Sequence, residues 1–332
     1  MTDLGIHLIV LELTTRCNLR CIHCYNDVLE NCEDINNDNL KIVVEELERV
    51  KPHYLILSGG EPLLLGERFF EIAKKMKRTC QKLYLTTNGQ LIRKFPAYLF
   101  KIFDNVQISL DGPKEIHEKI RGVGTFEEAI DASKYLKNAG VSVSFLMTLH
   151  SLNKDYLEET YRIAKGLGVQ FGAERMSPVG RGKSVKPLSP SDWKKLLKVA
   201  VEENIALNDP LRFIFKDKLK RMLNPHRITG GCTAGIASLV ITPSLDVLPC
   251  VRLRIPVGNL KDQSIESIWL NSDVLNKLRN RSGFKGKCGI CYYRNICGGC
   301  RADAYAETGD YLESDPLCWI EESEVIEDVS NL

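Results

Sequence analysis

Between residues 6 and 176 six short apolar runs recur, and amphipathic helical patterns lie between them. Ile6–Leu13 reads as a buried first strand. Tyr54–Leu57, Leu83–Thr86, Val106–Leu110, Val141–Thr148 and Val169–Met176 read as five more. Helices are predicted from an Asp38 N-cap through Val50, and over 67–78, 97–103 and 154–167. Another is predicted over 126–139, capped by Thr125 and closed by Gly140 as its C′ glycine. Strands alternating with helices across short turns imply a parallel sheet with helices packed outside it. Six such units are fewer than the eight of a closed TIM barrel. The fold class is therefore α/β, a partial (β/α)6 TIM-like barrel with a C-terminal cysteine-rich module. In such sheets ligands bind at the C-terminal strand ends. The polar motifs after strands one to four all fall on that edge.

Residues 177–189 (SPVGRGKSVKPLS) form a Gly/Pro-rich link that ends the barrel. Gly182-Lys183-Ser184 misses a phosphate loop, because Ser177 stands where the first glycine belongs and a proline-containing segment follows. Two helices are predicted near 191–203 and 210–223. The expected division is a core at 5–180, a helical linker at 181–229 and a cysteine-rich domain at 230–325. A net charge of +2 with 27% charged residues steers the chain toward neither nucleic acid nor acidic membranes. Met1-Thr2-Asp3-Leu4 carries no basic leader, and no apolar stretch is long enough to cross a bilayer. A soluble, cytoplasmic protein is expected, with no nucleic-acid or membrane partner.

Twelve cysteines then need a reason, because structural disulfides are rare in most reducing cytosols. Three fall in Cys17-x3-Cys21-x2-Cys24 and seven between 232 and 318. Cys32 and Cys80 are left over and read as small buried hydrophobes or incidental thiols. Clustered cytosolic cysteines point to metal. A cubane iron–sulfur cluster takes four thiolates, so three clustered ligands leave one iron open to a small molecule. A zinc knuckle or a loop of buried thiols is the plainer alternative. In the C-terminal part, Cys288-x2-Cys291-x5-Cys297-x2-Cys300-x17-Cys318 follows Cys232-x17-Cys250. A zinc ribbon built on Cys288/Cys291 and Cys297/Cys300 leaves three cysteines unexplained, and its spacer is short.

Two further motifs end strands. Ser58-Gly59-Gly60-Glu61-Pro62 offers side-chain-free positions where a ligand can approach the backbone closely, although an ordinary turn also favours Gly and Pro. Ser109 and Asp111 alternate along a strand end and so face one side, although Asp-Gly is also a common turn pair. Asn88 and Arg175 lie at the ends of strands three and six.

The C-x3-C-x2-C loop followed at once by Tyr25, with the GGEP turn next in order, resembles the radical SAM superfamily. His117, Arg121-Gly122 and Gly124-Thr125-Phe126 fit its pattern as well. The seven C-terminal cysteines, with Cys232-Thr233-Ala234-Gly235 and Val247-Leu248-Pro249-Cys250, resemble its SPASM extension, which carries auxiliary iron–sulfur clusters. The resemblance covers nearly the whole chain. It implies a [4Fe-4S] cluster on Cys17, Cys21 and Cys24 whose free iron chelates the amino and carboxylate groups of S-adenosylmethionine. Gly59, Gly60 and Glu61 would serve the methionyl amino group, and Ser109 and Asp111 would lie by the ribose. Asn88 and Arg175 would contact cofactor or substrate. Cys288, Cys291, Cys297 and Cys318 would close one auxiliary cluster. Cys232, Cys250 and Cys300 would hold a second, with His226 a candidate fourth ligand. This module departs from the pattern twice: x2 replaces x3 before the sixth cysteine, and Leu245 stands where a glycine is usual.

In the chemistry so implied, an electron passes from the first cluster to S-adenosylmethionine, and the resulting 5′-deoxyadenosyl radical takes hydrogen from a substrate. The electron would come from a reductant such as ferredoxin or flavodoxin. Auxiliary clusters would relay an electron or bind the substrate. The expected function is maturation of a peptide, protein or cofactor precursor. The alternatives are side-chain modification in haem or modified-tetrapyrrole biosynthesis, and tungsten-cofactor-associated maturation. The lack of a peptide-recognition extension before the first strand tilts away from self-sufficient peptide binding. A non-enzymatic iron–sulfur or zinc electron-transfer module is the reading of a different class, and it would need neither the GGEP turn nor the barrel.

Overall fold

The computed structural model describes residues 4–26, 32–215, 228 and 230–321. The barrel half follows the expected alternation: β1 (Leu8–Glu12), α1 (Asn37–Val50), β2 (Tyr54–Ser58), α2 (Glu67–Met76), β3 (Lys82–Thr87) and β4 (Asn105–Ser109). Then come α3 (Lys114–Arg121), α4 (Thr125–Asn138), β5 (Val143–Leu149), α5 (Leu157–Gly166) and β6 (Gln170–Arg175). α3 was not anticipated. The predicted helix over 97–103 is a 3-10 segment, Ala97–Ile102, entered through Pro96.

Two caps differ from expectation. α1 begins earlier because Asn36, not Asp38, is the N-cap, its side chain accepting from the Asn39 amide. Asp38 sits in the first turn, where the helix dipole favours it. Thr125 opens α4 from inside, its hydroxyl donating to the Gly122 carbonyl at 2.6 Å. Gly140 does close that helix, at φ +78.

The linker and the C-terminal domain both enter the sheet. Residues 181–229 supply α6 (Pro190–Glu202) and also a strand, β7 (Ala206–Asn208), which pairs parallel with β6. Pro210–Phe215 is a 3-10 segment, and the rest of the helix predicted over 210–223 lies outside the described residues. β8 (Ser238–Ile241) lies parallel to β1, with Leu8 opposite Tyr54 on one side and Ser238 on the other. β9 (Asp246–Leu248) and β10 (Gly258–Asn259) continue antiparallel. The order is β10-β9-β8-β1-β2-β3-β4-β5-β6-β7, so the barrel half has more parallel strands than the six expected. One continuous core fills it, with Ile9, Leu11, Leu55, Leu57, Leu83 and Leu85 fully buried. No helix among the described residues is long and apolar enough to cross a membrane.

Parallel pairing puts the C-terminal ends of β1 to β6 on one edge. The cysteine loop, the GGEP turn, Asn88, Ser109, Thr148 and Glu174 converge there.

Candidate metal centre and cofactor cavity

The cysteine loop is mounted on the GGEP turn by backbone alone. The Gly60 amide donates to the Thr14 carbonyl and the Glu61 amide to the Arg16 carbonyl, each at 2.7 Å. A Cβ on Gly60 would lie 2.0 Å from the Arg16 carbonyl oxygen, and one on Gly59 2.3 Å from that of Thr14. These glycines admit the chain that enters the loop, and only their outer faces border the cavity. Ligand approach is thus the smaller part of their role.

Glu61 is wholly buried behind that surface. Its carboxylate accepts from the Thr87 hydroxyl (2.9 Å), the Asn88 amide (2.8 Å) and the Leu63 amide (3.1 Å). Burial pushes its pKa up to about 7 against those donors. It locks the end of β2 to the end of β3 and so fixes Asn88. Asn88 in turn donates to the Asn18 side chain at 2.9 Å, with Cys17 Sγ 3.9 Å away.

The segment read as a mere link also holds the loop. The Arg181 amide donates to the Cys24 carbonyl and its Nε to the Cys21 carbonyl, both at 3.0 Å. Gly180, at φ +56, passes so close that a Cβ there would stand 2.3 Å from the Tyr25 carbonyl oxygen.

Cys17, Cys21 and Cys24 open into a cavity of about 880 Å³ that Gly59, Gly60, Asn88 and Ser109 also line. Glu174 and Arg252 complete the far wall. Burial pushes the Cys17 thiol up to about 11 and the Cys21 thiol upward. Such thiols ionise when a metal takes the proton's place. Three thiols at one end of a cavity this size suit a three-ligand cluster with a nucleoside-sized ligand beside it. When bound, the cluster and S-adenosylmethionine supply reductive sulfonium cleavage.

Two anticipated contacts have their side chains engaged by protein groups, although Arg175 is among the residues that line the cavity. Asp111 is fully buried beneath the cavity wall. Its carboxylate takes Arg121 Nε at 2.5 Å and the Thr148 amide at 2.9 Å, so it has no free edge toward a ribose. Against the opposing effect of burial, Arg121 and His23 hold that carboxyl well below the usual carboxylate range. Arg175 is engaged on every side of its guanidinium. It forks onto Asp209, and its Nη1 meets Asp315 at 2.8 Å and Asp303 at 3.1 Å. Trp193 covers its face, 5.3 Å from ring centre to guanidinium carbon. This side chain clasps β6 to the C-terminal domain and is not available to a cofactor.

In that domain Cys288, Cys291, Cys297 and Cys318 line a second cavity of about 370 Å³. N–H donors face its sulfurs: Gly299 N to Cys297 and Arg301 Nη2 to Cys288, each at 3.4 Å. Such donors are the usual surroundings of a cluster. Cys300 turns away, its amide on Asp315 at 2.7 Å, so the Cys288/Cys291/Cys297/Cys300 zinc ribbon does not form. Among the described residues no three His, Cys, Asp or Glu side chains converge on a single-ion position.

Against the opposing effect of burial, its surroundings, Glu174 among them, hold Arg252 charged. Arg252 lines the first cavity and donates to the Arg175 carbonyl at 2.6 Å. Cys232 is tied to the set lining the second cavity, its amide on the Cys297 carbonyl at 2.9 Å. His226 lies outside the described residues. Cys32 is exposed, as an incidental thiol would be, and Cys80 is half-buried and packs against the core. Leu245 takes the left-handed backbone of the glycine it replaces, at φ +73, with its side chain fully buried. Burial worth about 1.5–3 kcal/mol offsets a backbone cost of about 1–2 kcal/mol.

Sequence reasoning passed over Arg181, Arg252, Glu174 and Arg301, and it took Arg121 only as part of a pattern. Arg252 follows Cys250 by two residues, and that proximity to a candidate ligand was the available signal.

The radical SAM superfamily model matches residues 11–164, and the SPASM iron–sulfur cluster-binding domain model matches 232–301. The AdoMet-dependent heme synthase of Methanosarcina barkeri is 33% identical over 336 residues, covering 94% of this chain and 95% of that protein. Mycofactocin maturase MftC of Mycolicibacterium smegmatis is 30% identical over 333 residues, covering 92% and 81%. The fold is also that of Streptococcus suis SuiB bound to S-adenosylmethionine, at a TM-score of 0.76 and 20% identity, covering 94% of this chain and 77% of that one. With three loop cysteines opening into one cavity and four more lining a second, the chain belongs to the radical SAM enzymes that carry a C-terminal SPASM domain.

Proposed function

We propose that this enzyme acts on a carboxylate-bearing tetrapyrrole, as a synthase of the haem-forming kind. The observation that carries the reading is the match to a heme synthase along nearly the full length of both chains. The cavity is consistent with it, because Arg252 brings a permanent positive charge to the wall where a substrate carboxylate would lie. In this reading Cys17, Cys21 and Cys24 hold the first cluster, and Gly59, Gly60, Asn88 and Ser109 border S-adenosylmethionine. Cys288, Cys291, Cys297 and Cys318 hold an auxiliary cluster, and Cys250 and Cys300 contribute to another, with Cys232 tied by its backbone to the first of these two sets. A cytoplasmic setting with a ferredoxin or flavodoxin as reductant completes it.

Converting a propionate side chain to a vinyl group removes a hydrogen atom, then carbon dioxide and one electron. In this reading Cys250 and Cys300 would help hold the group that accepts that electron. The test is anaerobic incubation of reconstituted enzyme with a low-potential reductant, S-adenosylmethionine and a propionate-bearing iron tetrapyrrole, followed by mass spectrometry. The expected product has lost the elements of formic acid per modified side chain, with matching 5′-deoxyadenosine. An unchanged tetrapyrrole beside unstimulated 5′-deoxyadenosine formation refutes the proposal. Peptide maturation, the activity class of the 30% identical relative, is then the reading to pursue.

A further inference from the structure

Behind the cysteine loop a short chain of charged groups ends on a ligand sulfur. Asp111 is fully buried and fixed by the Thr148 amide. It holds Arg121 through Nε at 2.5 Å, and Arg121 turns Nη1 to Cys21 Sγ at 3.7 Å. Its Nη2 stands 3.4 Å from His23 Nε2, and only 10% of its side chain is exposed. The mounting is stiff. The Ile22 amide donates to the Ile120 carbonyl at 3.1 Å, so the end of α3 and the cysteine loop move together. His117 Nδ1 accepts the Asp111 amide at 3.0 Å and fixes the start of that segment.

An N–H aimed at a cluster thiolate withdraws charge from the sulfur and favours the reduced, more negative cluster. Poor access to solvent strengthens the effect. Arginine stays protonated at every working pH, so the donor is permanent. The contact with Cys21 is made by Arg121 Nη1, whereas Asp111 lies against Nε and 3.6 Å from His23 Nε2. Asn88, beside Cys17 Sγ, is neutral and slightly farther away, and Arg181 gives its Nε to the Cys21 carbonyl. The geometry points to Arg121, positioned by Asp111, as the residue that raises the reduction potential of the Cys17/Cys21/Cys24 cluster. This rests on the cluster assignment and is independent of the tetrapyrrole substrate.

The test uses the complete reconstituted chain without S-adenosylmethionine. Its readout is a redox titration of the paramagnetic signal that disappears when Cys17, Cys21 and Cys24 are replaced by alanine. Arg121→Lys keeps the charge and loses the planar fork. The double change Arg121→Gln with Asp111→Asn removes both charges and leaves no lone buried ion. In the double variant the ratio of reduced to oxidised cluster at fixed potential should fall about tenfold, a shift of about 59 mV for one electron. Arg121→Lys should fall between it and the parent, and the auxiliary signals should not move. An unchanged midpoint overturns the proposal. So does reduced S-adenosylmethionine affinity at an unchanged midpoint, which would make Arg121 a ligand contact instead. Loss of iron from both variants would assign Arg121 to holding the loop and would also overturn it.

Discussion

Replacing Gly60 with alanine tests whether the GGEP turn exists to seat the cysteine loop. The added Cβ would lie 2.0 Å from the Arg16 carbonyl oxygen and 2.8 Å from that of Thr15. Both are backbone atoms, so no side chain can swing aside. Bringing the nearer contact to 3.0 Å moves the loop by about 1 Å, whereas metal ligands tolerate displacements of about 0.2 Å. The shift stretches the bonds from Gly60 N to Thr14 O and from Glu61 N to Arg16 O, at about 1 kcal/mol each. Overpacking adds about 1–3 kcal/mol. The expected loss is therefore about 3–5 kcal/mol, with failure to hold the first cluster even where the chain still folds. Iron content after anaerobic reconstitution and the thermal midpoint measure the two effects, and about four irons per chain should be missing. Gly166→Ala is the control. That position closes α5 with nothing within 4 Å, and alanine there should stabilise by up to about 1 kcal/mol. A Gly60→Ala protein with parental iron and midpoint would refute the reasoning.

The Arg175 clasp and the buried histidines give two more outcomes. Arg175→Met leaves Asp209, Asp303 and Asp315 buried without their shared cation, and should cost about 3–5 kcal/mol in chemical denaturation. A loss below about 1 kcal/mol would show that the carboxylates relax into protonated pairs. His117 is held neutral by burial and by the neighbouring Arg121, with its pKa lowered from 6.5 to about 4. The stability it contributes is fully present above pH 6.5 and is lost as pH falls from 6.5 toward 4. The loss is on the order of 3 kcal/mol. His117→Gln should flatten the fall of the unfolding midpoint over that range, and an unaltered acid slope would refute the assignment.

The barrel half was legible because its strands are short runs of apolar residues with one face buried and the other half-buried, as in Leu8–Glu12 and Tyr54–Ser58. β7 escaped notice because Ala206–Asn208 is three residues long and both of its end residues are exposed. β8 is apolar enough to be read as a strand, yet nothing local in Ser238–Ile241 says that its partner is β1. The thiol sets were readable from spacing, since cysteines within a few residues must share a loop. Their charged supports were not. Arg121 reaches Cys21 from 100 positions along the chain, and Arg175 meets Asp315 across 140. The glycines of the GGEP turn read as room for a ligand, and the Thr14–Arg16 backbone needs that room too, because a sequence shows that space is needed without showing all that fills it. Leu245 shows the converse: a departure from pattern that leaves the backbone path intact.

β1 is flanked by β2 on one side and β8 on the other, and those partners are made at very different times. Tyr54 follows Leu8 closely along the chain, but Ser238 comes only after about 230 further residues. At about 5–20 residues per second, the ribosome needs roughly 10–50 s to deliver that second neighbour. Throughout this interval the first strand to emerge carries an open row of amides and carbonyls, a template for pairing with other nascent chains. The same strand leads directly into the cysteine loop. Synthesis that stops short of Ser238 therefore yields a chain able to form its first cysteine loop beside an unsealed sheet edge, a natural substrate for chaperones and proteases.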